Sequence, residues 1–214
     1  MTIEWFGEGC FKITETGNRF SILTETPRKD SGLSIPRHKT NVYLSTFCNL
    51  SDSLFDLNKK EKEVFIINNA GDYELQNNFI KGIVVSTKEG LVKSVYTIKM
   101  EDIKVAYLGT ITNKEWTPEV GNFLGEVDIM LIPIGGEEML DGSQAVEVIK
   151  QVEPKIVIPM YYKIPGLKIK RAELEKFLAK MEIKKPEEMD KLLIKNKELE
   201  NWGEETKVYI LKNI

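Results

Sequence analysis

Asp128-Ile129-Met130-Leu131-Ile132-Pro133-Ile134-Gly135-Gly136 and Glu153-Pro154-Lys155-Ile156-Val157-Ile158-Pro159-Met160 hold the two densest apolar runs of the chain. Neither alternates polar with apolar residues, so residues 127–133 and 155–159 read as strands covered on both faces. Between them Ala145, Val148, Ile149 and Val152 follow the i, i+3, i+4, i+7 spacing of an amphipathic helix. Asp141 is placed to cap that helix, Gln144 stands three residues on, and Pro154 closes it. The unit is therefore strand, helix, strand, with the helix laid over a sheet.

Outward from this unit the two halves of the chain differ. Downstream, Leu174, Phe177, Leu178 and Met181 repeat the helical spacing, and residues 207–211 read as a last strand. Upstream, residues 10–13 and 20–23 flank the turn Thr16-Gly17-Asn18 and read as a hairpin. Further strands are expected at 41–46, 63–67, 79–86, 92–100 and 103–108, forming an antiparallel meander with one helix at 53–60. Residues 24–39 and 184–205 carry the Pro, Gly and charge of long surface loops. Strands first and strand-helix-strand units afterwards predict an α/β fold of sheets packed face to face with helices outside.

Composition narrows the function classes. The 214 residues are 42% hydrophobic and 29% charged, which fits one globular domain spanning 1–214. Thirty basic and 33 acidic residues leave a net charge of −3, with no global attraction for nucleic acid or anionic lipid. Lys163, Lys168, Lys170, Arg171 and Lys176 form the best basic cluster, read as a solvated face. The N-terminus lacks the pattern of a signal peptide and no apolar run approaches the ~20 residues that span a bilayer, so cytoplasm is the expected location. Cys10 and Cys48 are too few for a disulfide framework and are expected as free thiols.

Four motifs, Trp5-Phe6-Gly7-Glu8-Gly9-Cys10-Phe11, Ile67-Asn68-Asn69-Ala70-Gly71-Asp72-Tyr73-Glu74, Ala106-Tyr107-Leu108-Gly109 and Ile156-Val157-Ile158-Pro159-Met160-Tyr161-Tyr162-Lys163, resemble one family. With the two apolar stretches, they are similar to the metallo-β-lactamase fold superfamily, in its bacterial branch of predicted zinc-dependent hydrolases akin to ascorbate-6-phosphate lactonases. The likeness runs from Ile3 to Leu211. It implies a four-layer αββα sandwich and a binuclear metal centre, with two Zn or Mn ions, where loops converge at one edge. In such a centre metal-held hydroxide attacks the scissile carbonyl or phosphorus, which requires clustered histidines and carboxylates.

This sequence departs from the family at those ligands. Aligned on Leu44-Ser45-Thr46, the His-x-His-x-Asp-His motif falls on Phe47, Asn49, Ser51 and Asp52. The aspartate of Leu-Gly-Asp falls on Thr110, and the histidine of Pro-Met-His-Tyr falls on Tyr161. The histidine before the first Cys-Phe pair falls on Glu8, and the aspartate ending the second strand falls on Thr24. The one histidine of the chain, His38, lies in a loop and reads as a surface residue.

The expectation is a pseudo-hydrolase with no catalytic residue and no cofactor, acting by binding or assembly. Glu8, Thr24, Phe47, Asn49, Ser51, Asp52, Thr110 and Tyr161 mark a vestigial pocket, repacked by the bulk of Phe47 and Tyr161. Tyr162 and Trp116 are further candidates for lining a cleft there. The alternative is a lactonase-like or phosphoesterase-like hydrolase using Cys48 as nucleophile or an atypical oxygen-rich metal site drawn from Asp52, Glu8, Asp72 and Glu74. Expected partners are a small molecule or a protein, and the resemblance implies a homo-oligomer.

Overall fold

The strands of the first half sort into two sheets because their apolar residues must be buried from both sides. A computed structural model of the chain describes residues 1–34, 39–48, 64–88 and 90–214; His38 and the expected helix at 53–60 lie outside them. The first sheet takes β1 (Thr2–Trp5), β2 (Phe11–Thr14), β3 (Ser21–Thr24) and β4 (Val42–Leu44). After β5 (Phe47–Cys48), which joins the second sheet, β6 (Phe65–Ile67) completes one edge. The opposite edge is β14 (Lys191–Leu193), giving the order β14-β1-β2-β3-β4-β6. The hairpin of β2 and β3 forms as expected. The meander expectation needs correction, because β3–β4 and β4–β6 pair in parallel.

The second sheet is built on β7 (Gly71–Leu75), β8 (Asn78–Lys88), β9 (Leu91–Met100) and β10 (Ile103–Tyr107). It continues through β11 (Ile129–Pro133), β12 (Ile156–Met160), β13 (Glu187–Met189) and β15 (Lys207–Leu211). Its order is β13-β15-β12-β11-β10-β9-β8-β7, with β5 paired to β9 beside β10. β10, β11 and β12 run parallel, and every residue of β11 and β12 is buried, as their unbroken apolar runs require.

Helices cover what the sheets do not bury in each other. α1 (Pro118–Leu124) packs near β8, and α2 (Gly142–Val152) packs on β11 and on α3 (Leu174–Lys180). Asp141 caps α2 by accepting from the amides of Ser143 and Gln144 at 2.8 and 2.9 Å, and the Gln144 side chain accepts from the Asp141 amide at 3.0 Å. The expected loop at 184–205 instead contains β13, β14 and α4 (Asn196–Glu200). Among the described residues no helix is long and apolar enough to cross a membrane.

Two segments change sheets. Residues 187–193 pair first with β15 of the second sheet and then with β1 of the first, which ties the two sheets together. Across the molecule the chain leaves β4, turns through Ser45-Thr46 and enters the second sheet as β5, with Phe47 opposite Lys93 and Cys48 opposite Val92. The second crossing sets Phe47 and Cys48, the described start of the segment aligned with the metal motif, against β9.

The two kinds of support differ in size. Ile158→Ala, at a fully buried position, is expected to cost about 2–5 kcal/mol, whereas Asp141→Ala is expected to cost about 1 kcal/mol. Urea unfolding midpoints of the two variants check both values.

Candidate functional site

Four strands from the two sheets deliver their C-terminal ends to one place. β3 ends on Thr24, β4 runs into Thr46, β10 ends on Tyr107, and β12 is followed by Tyr161. The β1–β2 turn adds Glu8 and Gly9. Its backbone comes so close that a Cβ on Gly9 would lie 2.3 Å from the Tyr161 hydroxyl and 2.8 Å from that of Tyr107, so only glycine fits.

At the centre stands Glu25, one residue past β3. The Tyr161 hydroxyl donates to its Oε2 at 2.7 Å, and the Thr46 amide donates to its Oε1 at 2.9 Å. The Thr46 hydroxyl donates to the same Oε1. Tyr107 shares its single hydroxyl proton between the Gly9 carbonyl at 2.9 Å and Glu25 Oε2 at 3.3 Å. Thr24 supports this floor: its hydroxyl donates to the Gly9 carbonyl at 2.6 Å and accepts from the Phe11 amide at 2.7 Å. Among the described residues no cation pairs with Glu25, so its charge is held by hydroxyl and amide dipoles. Burial raises the pKa of Tyr107 and Tyr161 well above 10, and the Glu25 charge raises both further. Burial and then the same charge push up the Cys10 thiol.

A second layer covers the first. Arg171 donates to the Glu8 carboxylate from Nε at 3.2 Å and from Nη2 at 2.6 Å, and both side chains are nearly inaccessible. Its guanidinium lies 5.5 Å from the centre of the Tyr161 ring. On the other flank Lys93 pairs with Glu115 at 2.8 Å and sits 5.8 Å from the Phe47 ring. Glu115 also accepts from the Thr112 amide at 2.8 Å, which fixes the turn after Thr110.

The expected pocket residues divide accordingly. Glu8, Thr24 and Tyr161 meet in one site, Phe47 lies on its flank in β5, and Thr110 follows the β10 end half-buried. Asn49, Ser51 and Asp52 lie outside the described residues. Tyr162 turns into the core against Trp5, ring centres 5.0 Å apart, and the Trp116 indole donates to Gln151 on α2, so neither joins the cleft. The oxygen-rich cation set is not assembled as expected: Glu8 is taken by Arg171, and Asp72 is exposed on β7 beside Lys81. The basic cluster is largely neutralised, with Lys163 on Glu173, Lys170 on Glu137 and Arg171 on Glu8. Both cysteines are free, Cys10 buried and Cys48 half-buried. Glu25 is the residue that sequence reasoning missed; its signal was a carboxylate at the end of a strand, next to an aligned ligand position.

Residues 2–161 match the family model described as the beta-lactamase superfamily domain, and the chain belongs to that superfamily. A UPF0173 protein of Pyrococcus abyssi is 27% identical over 183 residues, which cover 76% of this chain and 83% of that one. A UPF0173 metal-dependent hydrolase of Nanoarchaeum equitans is 38% identical over a shorter stretch of 73 residues, 31% of this chain and 34% of that one. Among solved structures, a Thermotoga maritima protein named as a zinc-dependent hydrolase of the metallo-β-lactamase superfamily is similar with a TM-score of 0.75. It is 24% identical, over 98% of this chain and 97% of that one. The fold is thus the metallo-β-lactamase fold, and several relatives that share it are named metal-dependent hydrolases.

These relatives correct one expectation. That the chain takes no cofactor conflicts with relatives named for metal dependence, because hydrolysis on this fold relies on an ion to generate hydroxide. The donor set can be tested against such an ion. Glu25, Thr46, Tyr107 and Tyr161 offer one carboxylate and three hydroxyls, all engaged with one another, and this set does not fit a histidine-built zinc centre. Among the described residues no three His, Cys, Asp or Glu side chains gather to hold an ion.

Glu25→Ala leaves the Tyr161 and Thr46 donors without their acceptor and is expected to cost about 2 kcal/mol, read from the urea midpoint. The pH dependence has a definite sign. Tyr43, Tyr107 and Tyr161 hold their protons more tightly folded than unfolded, Tyr43 being pushed up to about 12 mainly by burial. Their contribution is complete below the unfolded phenol value of about 10 and is lost as pH rises through the folded values. Melting temperature is expected to fall above about pH 10, with phenolate absorbance appearing together with unfolding.

Proposed function

We propose that this member of the superfamily is a non-hydrolytic protein that uses the pocket at Glu25 for binding or assembly, with a small molecule or a protein as partner. The observation that carries the reading is the Glu25 network. Attack on a carbonyl or phosphorus needs an activated water and a base free to accept its proton. The pocket's central carboxylate is instead occupied by Tyr161 and Thr46, and the phenols around it are held neutral by burial. A neutral phenol buried against a carboxylate is a hydrogen-bond donor, not a base.

The names of the relatives favour a second reading, a hydrolase whose ion is held by an atypical donor set. One experiment separates the two. The purified chain is assayed on lactone, phosphomonoester and phosphodiester substrates with Zn, Mn or Fe supplied at one to several equivalents. No turnover above the metal in buffer is expected. Turnover that saturates with stoichiometric metal would establish the second reading and remove the first.

A further inference from the structure

The segment between β12 and α3, residues 163–173, has no regular structure but closes on itself. Its neck is fastened by the Lys163 amide donating to the Ala172 carbonyl at 2.9 Å and by the exposed Lys163–Glu173 pair. Ends that meet around an irregular loop make it a compact unit of its own. Beyond the neck Ile164 is buried in the core beside Gly7, Leu167 packs against that core and Lys170 pairs with Glu137, while the backbone attachments are few. The Lys168 amide donates to the Ser31 carbonyl at 2.7 Å, the Ala172 amide donates to the Gly135 carbonyl at 3.2 Å, and Gly166 passes close to Gly32.

Arg171 is the one charged side chain that this segment sends into the pocket wall, where it makes the two-point contact with Glu8 and covers the Tyr161 ring. Tyr161 is unusual in its own right. Asn18, Gln76, Asn77, Glu101 and Asp102 adopt positive φ in hairpin turns and Glu153 does so at a helix end, but Tyr161 is an aromatic residue with φ of 59° directly after a buried strand. A bulky side chain keeps that backbone conformation only when its surroundings enforce it. Here its hydroxyl is held by Glu25 and its ring by Arg171.

We propose that residues 163–173 are a strap over the Glu25 pocket and that Arg171 is its latch. When the guanidinium leaves Glu8, the strap lifts about its neck, the Tyr161 ring loses its cover and the pocket opens to an occupant. Glu8, on the rigid β1–β2 turn, is the keeper of the latch; its carbonyl is itself fixed by the Trp5 indole at 2.9 Å. The device acts on access and stands whether or not the pocket hydrolyses what enters it.

Amide hydrogen exchange of the full chain, compared between wild type, Arg171→Ala, Arg171→Lys and Glu8→Gln, tests this. Arg171→Ala and Glu8→Gln are expected to speed exchange about tenfold or more across residues 163–172 and at 161–162, while β11 and β12 exchange as in the wild type. Arg171→Lys keeps the charge but loses the two-point fork, and is expected to fall between the two. Strap exchange unchanged in Arg171→Ala would overturn the proposal. So would exchange that rises equally in β11 and β12, the mark of a merely structural ion pair. Should Arg171→Ala fail to fold, Glu8→Gln and Arg171→Lys carry the same comparison.

Discussion

The Glu25 carboxylate is the constraint around which the edge of the sandwich is organised. It lies within reach of groups from β3, the β4–β5 crossing, the end of β10 and the residue after β12, which are distant in sequence and belong to both sheets. A carboxylate partly withdrawn from water, as Glu25 is, needs compensation for its charge. This one obtains it from an amide, two hydroxyls and a shared phenolic proton. The compensation exists only when all four segments are in place, so the network is a condition on how the sheets meet as well as a feature of the pocket.

The crossing at Ser45-Thr46 shows how far that condition reaches. Thr46 gives its amide and hydroxyl to Glu25, its carbonyl to the Ser94 amide at 2.7 Å, and its side chain packs where only a glycine, Gly109, leaves room. The residue is thereby fixed to both sheets, and β5 emerges from it in register with β9. Phe47 then meets Lys93, which is neutralised by Glu115 from the loop after Thr110. Phe47 is thus linked through Lys93 and Glu115 to the amide of Thr112, two residues past Thr110.

What was legible in the sequence followed from burial that is local and continuous. β11 and β12 were readable because every residue in them is apolar, and α2 because its apolar stripe and Asp141 cap agree. β13 and β14 were not: Glu187-Glu188-Met189 and Lys191-Leu192-Leu193 are short edge strands, largely exposed, and only their partners β15 and β1 make them strands. Their polar residues read as loop because an edge strand buries little. In the site, Glu8, Thr24 and Tyr161 were singled out by alignment with a known pattern. Glu25 and Arg171 were not, since each acts at a position where the family pattern names nothing, and charge pairing across 163 residues leaves no local trace.

That division bears on why the aligned positions differ together. A phenol at 161 is tolerable in a buried pocket only if its proton has an acceptor, and Glu25 is that acceptor. The Glu25 charge is tolerable only if donors surround it, and Tyr161, Tyr107 and Thr46 are those donors. Likewise Glu8 would be a buried unpaired anion without Arg171, and Arg171 would be a buried cation without Glu8. Each substitution alone leaves a polar group unsatisfied at a cost of about 1–3 kcal/mol or more, a large part of the net stability of a domain. The set is therefore stable as a set. Glu8 and Tyr161, with the unaligned residues Glu25 and Arg171 that complete them, form one coupled unit, and its pairing rules are donor against acceptor and cation against anion.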